Sequence, residues 1–369
     1  MPASTKTNPP PSASSRKNDS PPPPPRSGIL AAGNWLVDHV KTLDAWPPQD
    51  ALASILAESW GNGGSPYNIL KDISKLHALQ PAYPLTGIGL VGDDSDGRRI
   101  LADCRAHGID TAQLRATPDA PTSYSDVMTD SQTGRRTFFH QRGANARLVP
   151  EHFDFAASRA AAAKIFHIGY ILLLDTLDQL TPSGQPRICD VLCRARAAGL
   201  LTSLDCVSEN SDRFQTIVRP ALPDVDILFV NDFEAGKLTG IDLHTTSTTD
   251  SIDRSAVERA LRSIAALDVR RWIIFHAPSA ACAAAPDGTL HWQPSLRVPS
   301  AAIRGTAGAG DAFAAGVLHG LHEDWSIADA LRLGVCTAAA CLASPTCSDS
   351  ILPLAETLAL AERHGFRPL

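Results

Sequence analysis

Residues 305–316 read GTAGAGDAFAAG, and this stretch decides the fold. Glycines at 305, 308 and 310 let the backbone turn tightly, and the apolar continuation predicts a helix that begins near Asp311. The first N–H groups of a helix lack intrahelical partners and lie at the positive end of its dipole, so this helix start is predicted to bind an anion. A carboxylate at the same point can take a proton from a hydroxyl that attacks a phosphoryl group.

Two plainer interpretations of this stretch remain open at this point. Asp311 could be a helix N-cap, and the glycines could serve close packing alone. The chain lacks the phosphate motif GxxxxGK[ST], and the glycines do not fit GxGxxG with a strand before it and an acidic partner about 20 residues later. The missing strand–GxGxxG–helix unit disfavours a dehydrogenase.

Around this stretch, short apolar runs alternate with longer helical patterns. Strands are predicted at 29–32, 87–91, 165–169, 200–204, 227–230 and 272–275. Helices are predicted at 66–76, 96–107, 186–198, 232–238, 255–267 and 311–319. The alternation indicates a mostly parallel sheet with helices on both faces. Residues 123–129 and 135–141 instead predict an antiparallel hairpin, as an edge excursion or a lid over a site.

Composition excludes several classes of function. The 369 residues carry 33 Lys and Arg against 39 Asp and Glu, a net charge of −6 that argues against nucleic-acid binding. No apolar run approaches the roughly 20 residues that a membrane span needs. The eight cysteines form no CxxC pair, so we expect reduced, buried thiols and a cytoplasmic protein.

Residues 1–27 are rich in proline and serine and predict a disordered tail ahead of one domain at 28–369. A transit peptide is the competing interpretation, because Asp19 is the only acidic residue in the tail. The prolines oppose the amphipathic helix that transit peptides need.

Residues 308–316 resemble the C-terminal signature of the ribokinase-like, or PfkB, carbohydrate kinases. Further segments resemble family motifs in the same order, at 63–68 (GGSPYN), 89–97 (GLVGDDSDG), 107–111 (HGIDT) and 231–240 (NDFEAGKLTG). The resemblance runs from about residue 28 to the C-terminus. It implies a three-layer α/β/α fold with a mostly parallel central sheet and a small β lid around 34–62 and 121–145. The implied reaction is ATP-dependent transfer of a phosphoryl group to a hydroxyl of a sugar or sugar-like molecule.

The resemblance also implies roles for particular residues. Asp311 would be the general base, and the backbone of Gly308, Ala309 and Gly310 would form the anion hole. The implied substrate-binding residues are Asp38, Gly63, Gly64 and Asn68. Asn231 and Glu234 would order Mg²⁺ through water near the ATP phosphates, because Mg²⁺ prefers oxygen ligands and keeps several waters. Capping of the following helix is the other interpretation of this pair.

Polar residues near the predicted hairpin, and at the start of the helix predicted at 96–107, are also assigned roles. Arg142 and Asn145 are substrate candidates, whereas Arg135 and Arg136 are expected on a solvated strand face. Asp94 or Asp96 is expected to cap a helix.

The sequence departs from the family pattern in two places. Gly305-Thr306-Ala307 stands where family members commonly carry Asp-Thr-Thr, and that Asp belongs to a monovalent-cation site in several relatives, which argues against potassium activation here. Residues 275–281 (FHAPSAA) replace the usual glycine-rich nucleotide loop, and His276 is the candidate nucleotide contact there. The phosphate donor is therefore left open.

Two alternatives to this function remain open. The chain could be a nucleoside kinase of the same fold, or a sugar-binding regulatory protein without turnover. The oligomeric state is also open, and a homodimer through the lid is one candidate, because lid strands often pair to hide their edges.

Overall fold

The computed structural model describes residues 25–244 and 252–369. The strands are β1 Ile29–Gly33, β2 Leu36–Leu43, β3 Ile55–Gly63, β4 Leu85–Gly92, β5 Ile109–Thr117, β6 Ser123–Asp130, β7 Arg136–Gln141, β8 Ile165–Ile171, β9 Leu201–Cys206, β10 Ile227–Asn231, β11 Trp272–His276, β12 Ala280–Ala284 and β13 Leu290–Pro294. The helices are α1 Ser65–Leu76, α2 Ser95–Ala106, α3 Ser158–Ala162, α4 Ile188–Ala197, α5 Arg219–Ala221, α6 Asp232–Thr239, α7 Arg254–Ala265, α8 Ala309–His322, α9 Ile327–Cys341 and α10 Leu354–His364.

A nine-stranded sheet forms the centre of the molecule, in the order β13-β12-β11-β10-β9-β8-β1-β4-β5. All neighbours from β5 to β11 pair in parallel, and β12 and β13 are added antiparallel at one edge. β1, β8, β10 and β11 are mostly apolar at successive positions because both faces are covered. In β1, Leu30 and Ala32 belong to one buried cluster, and Ile29 and Ala31 to the other.

Helices cover both faces of this sheet. Apolar side chains of α1, α8 and α9 pack on one face, and those of α4, α6 and α7 pack on the other. The predicted α/β/α architecture is therefore confirmed.

A separate four-stranded sheet, in the order β3-β2-β6-β7, stands apart from the central one and is called the small sheet below. The predicted hairpin is its β6–β7 pair, in which Thr129 lies opposite Arg136. β2 pairs antiparallel with β3 and parallel with β6. The small sheet therefore comes from the two segments in which the lid was predicted.

The predicted tail at 1–27 lies outside the described residues except at its end. There the Ser27 N–H donates to the Ala162 carbonyl at 2.9 Å, and Arg26 Nη1 donates to the Ala163 carbonyl at 3.0 Å. All eight cysteines are free. Within 25–244 and 252–369, every helix is too short or too polar to cross a membrane.

Candidate active site

A cavity of about 490 Å³ lies where the small sheet faces the ends of the central strands. Most of the predicted site residues line it, namely Asp38, Gly64, Asn68, Asn231, Glu234, His276, Gly308, Ala309, Gly310 and Asp311. A second cavity of about 400 Å³ adjoins it and shares Asn231, His276, Ala309 and Gly310. Residues that are distant in sequence thus meet at the carboxyl ends of parallel strands, where α/β sheets place their ligands.

Asp311 lies in the first turn of α8, three residues after the N-cap Gly308. The interpretation of Asp311 as the N-cap is therefore wrong. Gly308 has φ 74°, a left-handed conformation that glycine adopts without strain, and a Cβ there would come within 2.6 Å of Cys347 Cβ. Close packing thus accounts for one of the glycines, alongside the turn that starts the helix.

The start of α8 leaves backbone donors open. Ala309 N donates to the Thr306 carbonyl at 3.4 Å and Ala312 N to the Gly308 carbonyl at 2.8 Å. The N–H groups of Gly308 and Gly310 have no backbone acceptor in the described parts of the chain. Such donors at a helix N-terminus form an anion-binding site.

The carboxylate of Asp311 has one engaged oxygen and one free oxygen. Asn68 Nδ2 donates to Asp311 Oδ2 at 2.7 Å, and the Tyr170 hydroxyl donates to the same oxygen at 2.8 Å. Oδ1 accepts no hydrogen bond from the residues that the structure describes. The free oxygen is therefore available to a hydroxyl in the cavity.

Burial, together with the charge of Asp205, raises the pKa of Asp311 to about 7. The hydrogen bonds from Asn68 and Tyr170 act in the opposite direction. A carboxylate whose pKa lies near neutrality is matched to general-base work at physiological pH.

The sequence analysis did not identify Asp205 or Tyr170 as site residues. Asp205 Oδ2 accepts a hydrogen bond from Ser65 Oγ at 2.5 Å, and Oδ1 accepts one from the Tyr170 N–H at 2.6 Å. Asp205 directly follows the apolar run at 200–204, at the end of a predicted strand, and this position could have identified it. Tyr170 carries no comparable signal in the sequence.

Asn231 and Glu234 form a reciprocal cap at the start of α6. The Glu234 N–H donates to Asn231 Oδ1 at 2.9 Å, and the Asn231 N–H donates to Glu234 Oε2 at 3.0 Å. Ser208 Oγ donates to Glu234 Oε1 at 2.8 Å. The capping interpretation is thus confirmed, and Glu234 also lines the cavity.

Asp205, Glu234 and Asp311 are three buried carboxyl groups in the cavity. Burial, with a smaller contribution from the charge of Asp205, raises the pKa of Glu234 to about 8. Among the described residues no Lys or Arg pairs with these three groups, and Asp205 Oδ2 lies 3.2 Å from His167 Nε2. The same residues contain no group of three or more His, Cys, Asp or Glu that could enclose a metal directly. The carboxylates therefore fit a cation that keeps its own water, as Mg²⁺ does.

Asp38 lies on β2 of the small sheet, opposite Gly61, and points into the cavity. Burial raises its pKa to about 7, while the Cys347 thiol and the charge of Arg136 lower it. Gly63 does not line the cavity, but a Cβ there would lie 2.8 Å from Asp38 Oδ1. Gly63 thus leaves room for the carboxylate that faces the cavity.

Two predicted substrate residues, Arg142 and Asn145, are not in the cavity. Arg142 Nη1 pairs with Asp175 Oδ1 at 2.6 Å. The Asn145 side chain is buried and bonds to the backbone of Trp35, accepting from its N–H at 3.2 Å and donating to its carbonyl at 3.0 Å. Both side chains therefore bond to protein groups outside the cavity.

Arg136 departs from its expected place on a solvated strand face, because its Nη1 atom is buried. Arg135 is exposed, as predicted. Asp94 caps α2, since its Oδ1 accepts from the Gly97 N–H at 2.8 Å, so one of the two predicted caps is confirmed.

His276 ends β11 and contacts Gly310 at the start of α8, where a Cβ on the glycine would lie 3.2 Å from the imidazole. Burial lowers the pKa of His276 to about 4, so the ring is neutral at pH 7. The second cavity extends from it between the turn at 277–279 and the small residues Ala338 and Ala339 of α9. This cavity has the wide, apolar walls that a planar ring requires.

Comparison with known proteins agrees with this geometry. Residues 37–354 match the family model described as pfkB family carbohydrate kinase. Fructokinase-1 of Oryza sativa subsp. japonica is 25% identical over 80% of this chain and 83% of its own length.

Solved structures share the fold at lower identity. The Arabidopsis thaliana ribokinase solved with ribose and ATP is 22% identical, with a TM-score of 0.73 over 91% of this chain and 98% of its own. The Burkholderia thailandensis nucleoside kinase solved with inosine is 18% identical, with a TM-score of 0.69 over 92% of this chain and 100% of its own. Because the family model covers most of the sequence, the chain belongs to the pfkB family of carbohydrate kinases and has the ribokinase-like fold.

Proposed function

We propose that this protein transfers the γ-phosphoryl group of ATP to a hydroxyl of a sugar or sugar-like small molecule, with Asp311 as the general base. The observation that carries the proposal is the state of the Asp311 carboxylate. It is buried at the start of α8, its pKa is about 7, and one oxygen is free toward the cavity. Membership of a carbohydrate kinase family supports the same reaction.

Each part of the cavity has a task in this reaction. Asp38 and Asn68 orient the acceptor, because carboxylate and amide groups bind sugar hydroxyls with defined geometry. Asp311 Oδ1 takes the proton of the attacking hydroxyl while Asn68 and Tyr170 hold Oδ2. The open N–H groups at the start of α8 and the helix dipole stabilise the charge on the phosphoryl group in transfer.

Asn231 and Glu234, with Asp205 nearby, are the residues that would hold Mg²⁺ through water. When bound, the ion supplies positive charge at the donor phosphates. Burial is the main cause that raises the pKa of Glu234 and of Asp311, and the charge of Asp205 adds to it. A cation beside these groups would favour their ionised forms, which supports this assignment.

The second cavity is proposed to take the nucleoside part of ATP. Phe313, Leu296 and Val335 give it apolar walls, and Ala338 and Ala339 leave space for a planar base. His276 lies between the two cavities, near where the phosphates would pass. No glycine-rich loop is needed here, because alanines already allow close approach.

The small sheet is proposed to act as a lid and as the contact between two copies of the chain. Its outer strands expose large apolar side chains, with Leu56 60%, Phe139 53% and Trp60 51% accessible. Such edges are usually covered by another chain. We further propose that the protein works in the cytoplasm, which the eight free cysteines support.

An ADP-release assay with ATP and Mg²⁺, run over a panel of sugars, sugar acids, sugar phosphates and nucleosides, tests the proposed function. We expect turnover on a sugar-like acceptor, lost when EDTA removes Mg²⁺. Turnover on nucleosides alone would favour a nucleoside kinase. This is the second candidate, because the chain shares its fold with the nucleoside kinase solved with inosine. No turnover on any acceptor, with no binding of ATP, would refute the kinase and favour a sugar-binding protein.

A further inference from the structure

Arg136 reaches from the small sheet to the central domain beside the anion hole. It begins β7, where alternation puts it on the same face as Phe138 and His140, both of which line the cavity. Its Nη2 atom lies 2.5 Å from where a Cβ on Gly305 would be. The Ser344 carbonyl oxygen lies 2.6 Å from that same position. The guanidinium therefore occupies the space that any side chain at position 305 would need.

The guanidinium lies against two loops that are joined to each other by hydrogen bonds. One loop, residues 304–308, leads into α8, and the other, residues 342–348, follows α9. The Arg304 N–H donates to the Leu342 carbonyl at 2.7 Å, and Cys341 Sγ donates to the Ala307 carbonyl at 3.3 Å. Arg136 is thus placed against the pair of loops that supports Gly308.

Arg136 is half-buried, and its guanidinium has no hydrogen-bond or ion-pair partner among the described residues. Nη1 of Arg136 is buried without a hydrogen bond, and the guanidinium forms no ion pair with any described carboxylate. A buried, unpaired donor of this kind costs free energy that the fold must offset elsewhere. A positive charge retained at such a cost, next to the anion hole, points to a functional reason.

The charge of Arg136 acts on groups in both parts of the molecule. Burial has the larger effect and raises the pKa of Asp38 and of Cys341. The charge of Arg136 lowers the pKa of both groups, of which Asp38 lies on the small sheet and Cys341 lies below the loop at 304–308. The guanidinium therefore links the acceptor carboxylate to the loops under the anion hole.

We propose that Arg136 is a positioning residue for phosphoryl transfer: its guanidinium supplies a fixed positive charge between loops 304–308 and 342–348, in place of a bound monovalent cation. Because the charge is carried by the small sheet, the loops take their reactive arrangement only when this sheet is closed over the cavity. The inference rests on the proposed function and adds that the chain carries its own cation. It also gives a reason for glycine at position 305, since an aspartate there would collide with the guanidinium.

The test compares Arg136→Ala and Arg136→Lys with wild type, and uses Arg135→Ala as the matched control, because that neighbouring arginine is exposed. We expect Arg136→Ala to lower kcat by about 10²-fold or more, as loss of one transition-state charge does, with KM for ATP changed much less. Arg136→Lys should recover part of kcat. Potassium or guanidinium chloride, against choline chloride at equal ionic strength, should raise kcat of Arg136→Ala and leave wild type and Arg135→Ala unchanged.

Thermal melting provides a readout that does not depend on turnover. If the alanine variant exposes an empty cation site, potassium should raise its melting temperature and leave that of the wild type unchanged, because a ligand of the native state stabilises it. A kcat close to wild type in Arg136→Ala would overturn the inference. So would a variant that neither cation rescues in rate or in melting temperature. If wild type itself has no turnover, the proposed function fails, and the melting series still decides on the cation site.

Discussion

At the scale of single residues, the pKa of the Asp311 carboxyl group depends on its burial and on three neighbouring side chains. Burial has the largest effect and raises the pKa of Asp311, the charge of Asp205 also raises it, and the donors Asn68 and Tyr170 lower it. A general base works only when it is ionised, so kcat should fall as the pH drops below the pKa of about 7. Changing a neighbour should therefore move this acid limb of the pH profile in a direction that the neighbour determines.

Tyr170→Phe should move the acid limb to higher pH, because a hydrogen bond that favours the ionised carboxylate is lost. Asp205→Asn should move it to lower pH, because a negative charge that opposes ionisation is removed. Profiles of kcat against pH for both variants and wild type, at saturating Mg²⁺ and ATP, measure the two shifts. Shifts in the same direction, or none in either variant, would contradict this account of the base.

Single residues also mark what the sequence could and could not predict about the site. Asp311, Asn68 and Glu234 were identified because each lies in a motif that runs along the chain. Arg136 was expected on a solvated face, because alternation along a strand indicates which residues share a face but not which face is covered. Arg142 was a substrate candidate, and the structure places its side chain outside the cavity. The ion pair of Arg142 with Asp175 depends on a contact between distant segments.

At the scale of elements, the sequence predicted the strands that are buried on both faces and missed most of the others. β1, β4, β8, β10 and β11 are mostly apolar because helices cover them on both sides, whereas β9 also buries Thr202, Ser203 and Asp205. β3 is exposed over most of its length and shows no alternation that could be read. β12 consists of four alanines and a cysteine, with little strand propensity, and is placed by its pairing with β11.

The junction between β3 and α1 connects the small sheet to the helix that carries Asn68. Gly64 lies there with φ 90°, and a Cβ would collide with the Asn34 carbonyl. Asn68, one turn further along α1, holds Asp311. A change at this junction should therefore affect both stability and catalysis.

We expect Gly64→Ala to destabilise the fold by about 2 kcal/mol or more, because it combines backbone strain with a steric clash, and to lower kcat by displacing Asn68. Gly184→Ala is the matched control, since Gly184 has φ 81° with no atom within 4 Å of its Cβ position. It should cost about 1 kcal/mol and leave kcat unchanged. Urea unfolding measures the change in stability of each variant, and steady-state kinetics measures the change in kcat. Equal effects of the two variants would show that the packing at Gly64 has no special role.

At the scale of the whole molecule, the active site is a meeting of two sheets. The central sheet supplies Asp205, Glu234 and the start of α8, and the small sheet supplies Asp38 and Arg136. The order of the motifs along the chain predicted Glu234 and the start of α8, whereas Asp205 lies outside those motifs. The position of the small sheet over the cavity depends on its packing against loops such as 342–348, which no local pattern encodes.

The exposed apolar strands of the small sheet lead to a prediction about assembly. We expect light scattering to give twice the 39.2 kDa mass of the chain. Phe139→Asp should give the monomer, because a charge in the contact opposes pairing, while Leu180→Asp should not. Leu180 is 51% exposed, as Phe139 is at 53%, and lies outside the small sheet. A monomeric wild type would refute the dimer, and dissociation by both variants would refute its location.

The role of Asp311 as the base is tested by kcat of Asp311→Asn, measured with the acceptor found in the ADP-release assay. Asparagine keeps the shape of the side chain but cannot take the proton. We predict that kcat falls by about 10³-fold, within the range of general-base effects, while KM for ATP and acceptor stays within about threefold. A kcat within about tenfold of wild type, with Mg²⁺ saturating, would contradict the assignment of Asp311 as the base.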